Sequence, residues 1–245
     1  MSFAERVFKQ IPWPIQRRIA RLMEWRTDRH ARALSAKDAF TQIYARGRWG
    51  SNGQSEFYSG WGSHVEEVVD GYVKAVRGFL ATLPSKPHVV DLGCGDFNVG
   101  KRIRDLCQDY VACDVVPTLI EHNKSKFQDL QVDFRCLDLT VAELPAAEVA
   151  FIRQVLQHLS NQQIQQILTK LSRYKYLVVT EHLPSNLDFV ANLDKGVGEG
   201  VRASRETPSG VVLTAPPFNF KPTRGQIIAQ IPARGGVIQT TLYEV

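Results

Sequence analysis

The chain has 245 residues, 44% of them apolar, with 30 Lys or Arg against 25 Asp or Glu and a net charge of +5. That length and content suit one α/β domain with appendages and a sizeable core, and they exclude a disordered, fibrous or repeat protein. Four cysteines at 94, 107, 113 and 136 lack any C-x-x-C spacing and read as reduced, buried thiols, with no metal site implied.

The basicity is concentrated at the start. Residues 1–37 hold nine Lys or Arg against three acidic residues, a local +6, which leaves the remainder near neutral. In this segment large apolar residues from Phe3 to Trp25 are interspersed with Arg17, Arg18, Arg21, Arg26 and Arg29, and Pro12 and Pro14 divide it into a short helix and a longer one. The pattern suits an arm over residues 1–46 that contacts an anionic membrane surface, a protein partner or its own core, while nucleic acid is disfavoured because no basic groove accompanies it. With no apolar run near 18 residues and no signal-peptide layout, the chain reads as cytoplasmic, with a peripheral place at the inner membrane surface open to it. Residues 47–64, GRWGSNGQSEFYSGWGSH, carry five glycines and two tryptophans and predict a loop, and Val65–Leu83 predicts an amphipathic helix.

Residues 88–100, HVVDLGCGDFNVG, are the most informative stretch. His88–Leu92 predicts a buried parallel strand, Gly93 and Gly95 a sharp turn, and Phe97–Leu106 a helix. A dinucleotide turn would need G-x-G-x-x-G, but position 98 is Asn and an acidic residue precedes the glycines, where it would repel a pyrophosphate. An acid at that place suits a cationic ligand.

The stretch DLGCG resembles the first motif of class I S-adenosylmethionine-dependent methyltransferases, D/E-x-G-x-G-x-G, with Phe97 standing at the third glycine. The resemblance spans about residues 85–182 and implies a doubly wound, Rossmann-like α/β fold with a seven-stranded sheet over residues 47–245. It implies S-adenosylmethionine as cofactor, met by Asp91, Gly93, Cys94 and Gly95. Tyr110–Cys113 predicts the second strand, ending in Asp114 and Val115, where an acid would accept from ribose hydroxyls. Val132–Leu137 predicts the third strand, with Asp138 and Leu139 placed by the family at the adenine. Trp61 and Ser63, with Trp49 and His64, would close the cofactor pocket from the glycine-rich loop, although a surface loop pinned by two buried indoles fits the same composition.

Val149–Arg153 and Tyr176–Thr180 predict strands four and five, separated by a helix over Asn161–Ser172. Gln154 falls at a strand end facing the cofactor, and Arg153 and Trp49 are candidate acceptor contacts. His158, one turn past strand four, is the candidate base, with Glu181 and His182 arriving at the adjacent strand end to orient it. Residues 184–222 form the expected substrate lid, where Arg202 and Arg205 could hold a carboxylate or phosphate. Gly225–Ile231 and Gly236–Val245 predict a terminal antiparallel pair. The reading is a methyltransferase acting on a hydroxyl of a small polar molecule or a saccharide, lipid-linked ones included. An amine or protein side chain as acceptor, and a non-catalytic cofactor-binding subunit, remain the alternatives.

Overall fold

The computed structural model describes residues 35–53, 55–185, 188–203 and 208–245. The basic arm therefore lies, up to residue 34, outside the described residues, as does Arg205.

The first described helix, α1 (Ala36–Ala45), starts at Ser35, whose hydroxyl accepts from the Asp38 N–H and satisfies one of the orphan donors of the first turn. Its buried face, Ala36, Ala39, Phe40 and Ile43, packs into the main core cluster. Residues 36–45 thus belong to the folded domain, which does not begin at residue 47. Helix α2 (Glu66–Ala81) buries Val68, Val69, Tyr72, Val73, Val76, Phe79 and Leu80, an i, i+3, i+4 stripe, and carries Glu66 and Glu67 at its dipole-favoured start.

Strands β1 (His88–Leu92) and β2 (Asp109–Asp114) pair in parallel. Helix α3 (Pro117–Lys126) returns the chain to β3 (Asp133–Cys136), which lies parallel to β2. Beyond β1 on its other side come β4 (Val149–Arg153), helix α4 (Asn161–Leu171) and β5 (Tyr176–Pro184). A hairpin of β6 (Arg224–Ala233) and β7 (Gly236–Glu244) completes the sheet, β7 lying antiparallel to β5. The order is β3-β2-β1-β4-β5-β7-β6, seven strands as the sequence predicts. Because β1 and β4 are sequence-distant neighbours, connections leave them in opposite directions and open a crevice at their carboxyl ends.

Three expectations are corrected. Phe97–Leu106 is not a helix but two short 3₁₀ turns, Gly100–Arg102 and Arg104–Leu106. Asp96 accepts from the Asn98 N–H, a local turn that competes with helix initiation, and the Phe97 ring lies where a Cβ on Gly100 would come within 2.3 Å. Strand five runs four residues further than predicted, to Pro184, because β7 pairs with it over its whole length. Cys136 is exposed, since β3 is the edge strand, and Cys94 is half-buried.

The third-glycine position of the motif keeps the backbone that glycine would favour: Phe97 has φ 58°. Its ring is fully buried and meets Tyr110, Phe127 and Phe134 edge-on at 5.0–5.4 Å. Removing the ring outweighs the strain that glycine would relieve, about 1–2 kcal/mol. Phe97→Gly should therefore destabilise the fold by roughly 1–4 kcal/mol, the cost of deleting a core aromatic less that relief, read as a lowered urea midpoint.

Candidate active site

A cavity of about 420 Å³ opens at the carboxyl ends of the parallel strands. Gly93 and Gly95, at φ 90° and 56°, carry β1 into its wall. The turn is pinned from two sides. The N–H groups of Gly93 and Cys94 donate to the Cys113 carbonyl, the Gly95 N–H donates to the Asp114 carboxylate at 3.1 Å, and the buried Asn123 amide of α3 donates to the Gly95 carbonyl at 2.7 Å.

Each of the three strand-end acids lines this cavity. Burial pushes the Asp91 carboxyl up to about 7, against the stabilising hydrogen bond from the Tyr110 hydroxyl at 3.0 Å and the nearby Arg153 cation. Asp114 is pushed up to about 6 by burial, opposed by N–H donors from Val116, Gly95 and Val115. Asp138 uses one oxygen on the N–H and hydroxyl of Thr140. Val115, Leu139 and Gln154 line the same space, as do Cys94, Trp61 and Ser63.

The glycine-rich loop is a cover tied to the motif turn. Asp96, which the sequence reading passed over, is its anchor: its carboxylate accepts from the Ser59 N–H at 3.0 Å and meets His64 Nε2 at 2.5 Å, while its own N–H donates to the Ser59 hydroxyl. The Asn98 amide donates to the Ser63 carbonyl, and the Tyr44 hydroxyl sits 2.7 Å from that of Ser59. Arg153 closes the cover from the β4 side by donating to the Gly62 carbonyl and the Ser63 hydroxyl, its guanidinium over the Tyr72 ring. His64 serves this latch and is not among the cavity-lining residues, whereas Trp49 and Trp61 are.

His158 lies in a 3₁₀ turn after β4, buried, beside Trp49 at 5.3 Å and Phe40 at 6.3 Å between ring centres. Its Nδ1 is 3.2 Å from the Gly198 carbonyl, which can only accept, so Nδ1 carries the proton and Nε2 the lone pair. Burial lowers its pKa to about 4, with Lys195 adding to the effect. Glu181 does not reach it. Within the extended β5 the side chains of 181 and 182 point to opposite faces, and the Glu181 carboxylate accepts from the N–H groups of Leu156 and Gln157, holding the turn that carries His158. Glu181 is buried, pushed up to about 8 by desolvation, and outside the cavity wall. His182 does line the cavity.

The lid residues are packed rather than free. Val197, Val211, Leu213 and Phe218 join the main core cluster, and the buried Asn192 amide donates to the carbonyls of Val212 and Pro216. Arg202 is buried and donates to the carbonyls of Leu193 and Leu159, so the structure makes it a staple between this segment and the turn after β4 and not an acceptor contact. Arg48 and Arg234 line the cavity instead, Arg234 with its guanidinium 4.7 Å from the Trp61 ring centre. Neither has a local sequence signal: Arg234 is brought in by the β6–β7 turn, about 140 residues from the glycine motif.

Residues 89–174 match a family model described as a methyltransferase domain. Residues 89–174 are a methyltransferase domain. The seven-stranded order and the acid-glycine turn around it are those of the class I methyltransferase fold. Over 85 residues the chain is 32% identical to malonyl-[acyl-carrier protein] O-methyltransferase of Acetivibrio thermocellus, covering 31% of this chain and 30% of that protein. The chain thus matches less than a third of that relative's length. The fold is shared with the N-methyltransferase NodS from Bradyrhizobium japonicum WM9 in complex with S-adenosyl-L-homocysteine, at TM-score 0.58 and 10% identity over 83% of this chain and 97% of that one. It is shared too with magnesium protoporphyrin IX methyltransferase from Synechocystis PCC 6803 with bound S-adenosylmethionine, at TM-score 0.52 and 14% identity over 86% and 98%.

In the methyltransferase domain His158 is neutral in the folded state down to about pH 4, while in the unfolded chain it takes a proton below about 6.5. At this residue the unfolded state binds more protons across that window, so the contribution of His158 to stability is full above pH 6.5 and falls as pH drops towards 4. His158→Asn, whose amide can still donate to Gly198, should remove much of that loss, about 2 kcal/mol between pH 7 and pH 5. Urea midpoints of both proteins at pH 7 and pH 5 read this directly.

Proposed function

We propose that this chain transfers a methyl group from S-adenosylmethionine to an oxygen of a small polar acceptor. The observation that carries this reading is the cavity itself: carboxylates at three successive parallel strand ends, those of Asp91 and Asp114 buried and that of Asp138 half-buried, under a latched cover, in a space of the size that holds a drug-sized ligand. The donor set fits the cofactor. Asp91 faces a place suited to its cationic end, Asp114 to the ribose hydroxyls and Asp138 to the adenine amine, with Val115 and Leu139 as apolar flanks and Gly93, Cys94 and Gly95 as the close-approaching turn. When bound, the cofactor supplies an electrophilic methyl group on a sulfonium.

The chain's own residues then orient and exclude water. Ser59 to Ser63 cover the cavity while bonded to Asp96, Asn98 and Arg153. Gln154, at φ 55°, packs its amide on Gly62, where a Cβ would come within 2.3 Å of Gln154 Oε1. The aromatic rings of Phe40, Tyr44 and Trp49 form a wall beside His158. An oxygen acceptor is supported over an amine by the local 32% match to an O-methyltransferase, while the NodS likeness is one of fold. A hydroxyl of a small molecule or saccharide falls within this reading, with His158 as the group that would hold or accept its proton.

No helix among the described residues is long and apolar enough to cross a membrane. Residues 1–37, with their +6 and their apolar row, are proposed to tether the enzyme to an anionic surface at about 1 kcal/mol per basic residue. Removing residues 1–34 spares the Ser35 cap and should leave a folded, cofactor-binding protein that no longer sediments with phosphatidylserine vesicles. An intact chain that ignores such vesicles at low salt would refute the tether.

The cofactor assignment is tested on Asp114. Asp114→Ala deletes the proposed ribose contact and frees the Gly95 and Val116 N–H groups, and should weaken S-adenosylmethionine binding by about 10–100-fold. Calorimetric titration of the folded variant with unchanged affinity would remove Asp114 from the site.

A further inference from the structure

The sheet order divides the cavity wall by charge. All four cavity-lining carboxylates, Asp91, Asp96, Asp114 and Asp138, come from the β3-β2-β1 half or the turns at its strand ends. From β4 onward the described lining residues include no carboxylate: Arg153, His158, His182 and Arg234 stand there, joined by Arg48 from the loop after α1. Contacts gather this second set into one region. Trp49 is 5.3 Å from His158, a Cβ on Gly60 would lie 3.8 Å from Trp49, Arg234 covers Trp61, and Gly236 of the same turn abuts His182. Arg153 is engaged by the cover loop, which leaves Arg48 and Arg234, both exposed at the mouth, as the cations a ligand can recruit. Arg48 has a partner at present, Glu199 at 3.7 Å, in an exposed pair of the kind that contributes little and yields readily.

Resting on the methyltransferase reading above, we infer that the acceptor is a carboxylate, methylated on its own oxygen to a methyl ester, with Arg48 and Arg234 guiding it. Both guanidiniums line the cavity on the side where the described wall carries no carboxylate, and the planar fork of a guanidinium matches the two oxygens of a carboxylate. The described cavity wall is also poor in bases. His158 keeps its proton on Nδ1 against Gly198, its Nε2 lone pair already faces the Gln157 amide at 3.3 Å, and it stays unprotonated down to about pH 4, the mark of a weak base. His182 Nε2 is buried against Gly236, where a Cβ would come within 2.7 Å of it, and burial lowers its pKa too. Glu181 is behind the wall, bound to two backbone N–H groups. An alcohol must lose a proton as it attacks; a carboxylate at neutral pH has none to lose.

The step balances without a base. A lone pair on the carboxylate oxygen forms the new O–CH₃ bond, the methyl carbon's bond to sulfur breaks, and that electron pair stays on sulfur. Anion and sulfonium give a neutral ester and a neutral thioether, with no proton released.

The test uses the full chain, methyl-labelled S-adenosylmethionine, a panel of mono- and dicarboxylic acids with their matched hydroxy compounds, and a bacterial extract as a source of larger acceptors. Label should enter products from which mild alkali releases it as methanol, as it does from esters and not from ethers or methylamines. At saturating S-adenosylmethionine, whose cationic end and hydroxyls would hold Asp91 and Asp114 ionised, the maximal rate should be flat between pH 6 and pH 8. Arg48→Gln and Arg234→Gln should each raise KM for the carboxylate by about tenfold, the scale of one charge-assisted contact, with the S-adenosylmethionine Kd unchanged in calorimetry. Alkali-stable label, a rate that falls with a pKa near neutrality, or an unchanged KM in both variants would overturn the carboxylate assignment while leaving the methyltransferase reading intact. Failure of the chain to bind S-adenosylmethionine would overturn both.

Discussion

Gly95 has both backbone groups tied down, its N–H to the Asp114 carboxylate at the end of β2 and its carbonyl to the Asn123 amide on α3. Those two bonds fix a left-handed turn, and the rest of the site is built outward from it. Cys113, next to Asp114, accepts from Gly93 and Cys94, so β2 also sets where β1 ends. A buried backbone group without a partner would cost about 1–3 kcal/mol. The turn has one arrangement in which all of these are met, and the acids at 91 and 114 inherit their positions from it.

The cover loop is secured to that turn by side chains and not by regular structure. Ser59 and Asp96 exchange a reciprocal pair of bonds, and His64 adds a third contact to the same carboxylate. A loop with five glycines carries a large conformational entropy when free. Its order therefore depends on polar contacts that are buried under it, with Arg153 joining it to the opposite side of the crevice. Cover and sheet are in this way one unit, and the cavity between them has a defined volume.

Electrostatics then follow topology. Parallel strands deliver their carboxyl ends to one edge of the sheet, and burial there raises the cost of charge, which is why Asp91 and Asp114 lie well above the ordinary carboxylate range. A ligand with cationic and hydroxyl groups relieves that cost. On the other side of the crevice guanidiniums and neutral imidazoles replace the acids, so the two halves of one cavity differ in charge.

Much of this was legible in the chain itself. The run HVVDLGCG predicts a buried strand, a sharp turn and an acid because each is a local property, written in apolar continuity and in glycines at fixed places. The same local signals mark the segments that form the seven strands, and the family resemblance implies the sheet they build. Other features depend on which distant residues meet, and periodicity is blind to that. The pairing of β7 along all of β5 turned Glu181 from an expected partner of His158 into a support for its turn. The Phe97 ring, drawn into an aromatic cluster with Tyr110, Phe127 and Phe134, prevented the predicted helix. Arg202 became a buried staple because Leu159 and Leu193 present carbonyls to it, and Arg234 reached the cavity because a hairpin at the far end of the sequence folds beside β5. Local composition decides which residues can form a strand or a turn; only long-range packing decides which side chain of that strand is buried, and against what.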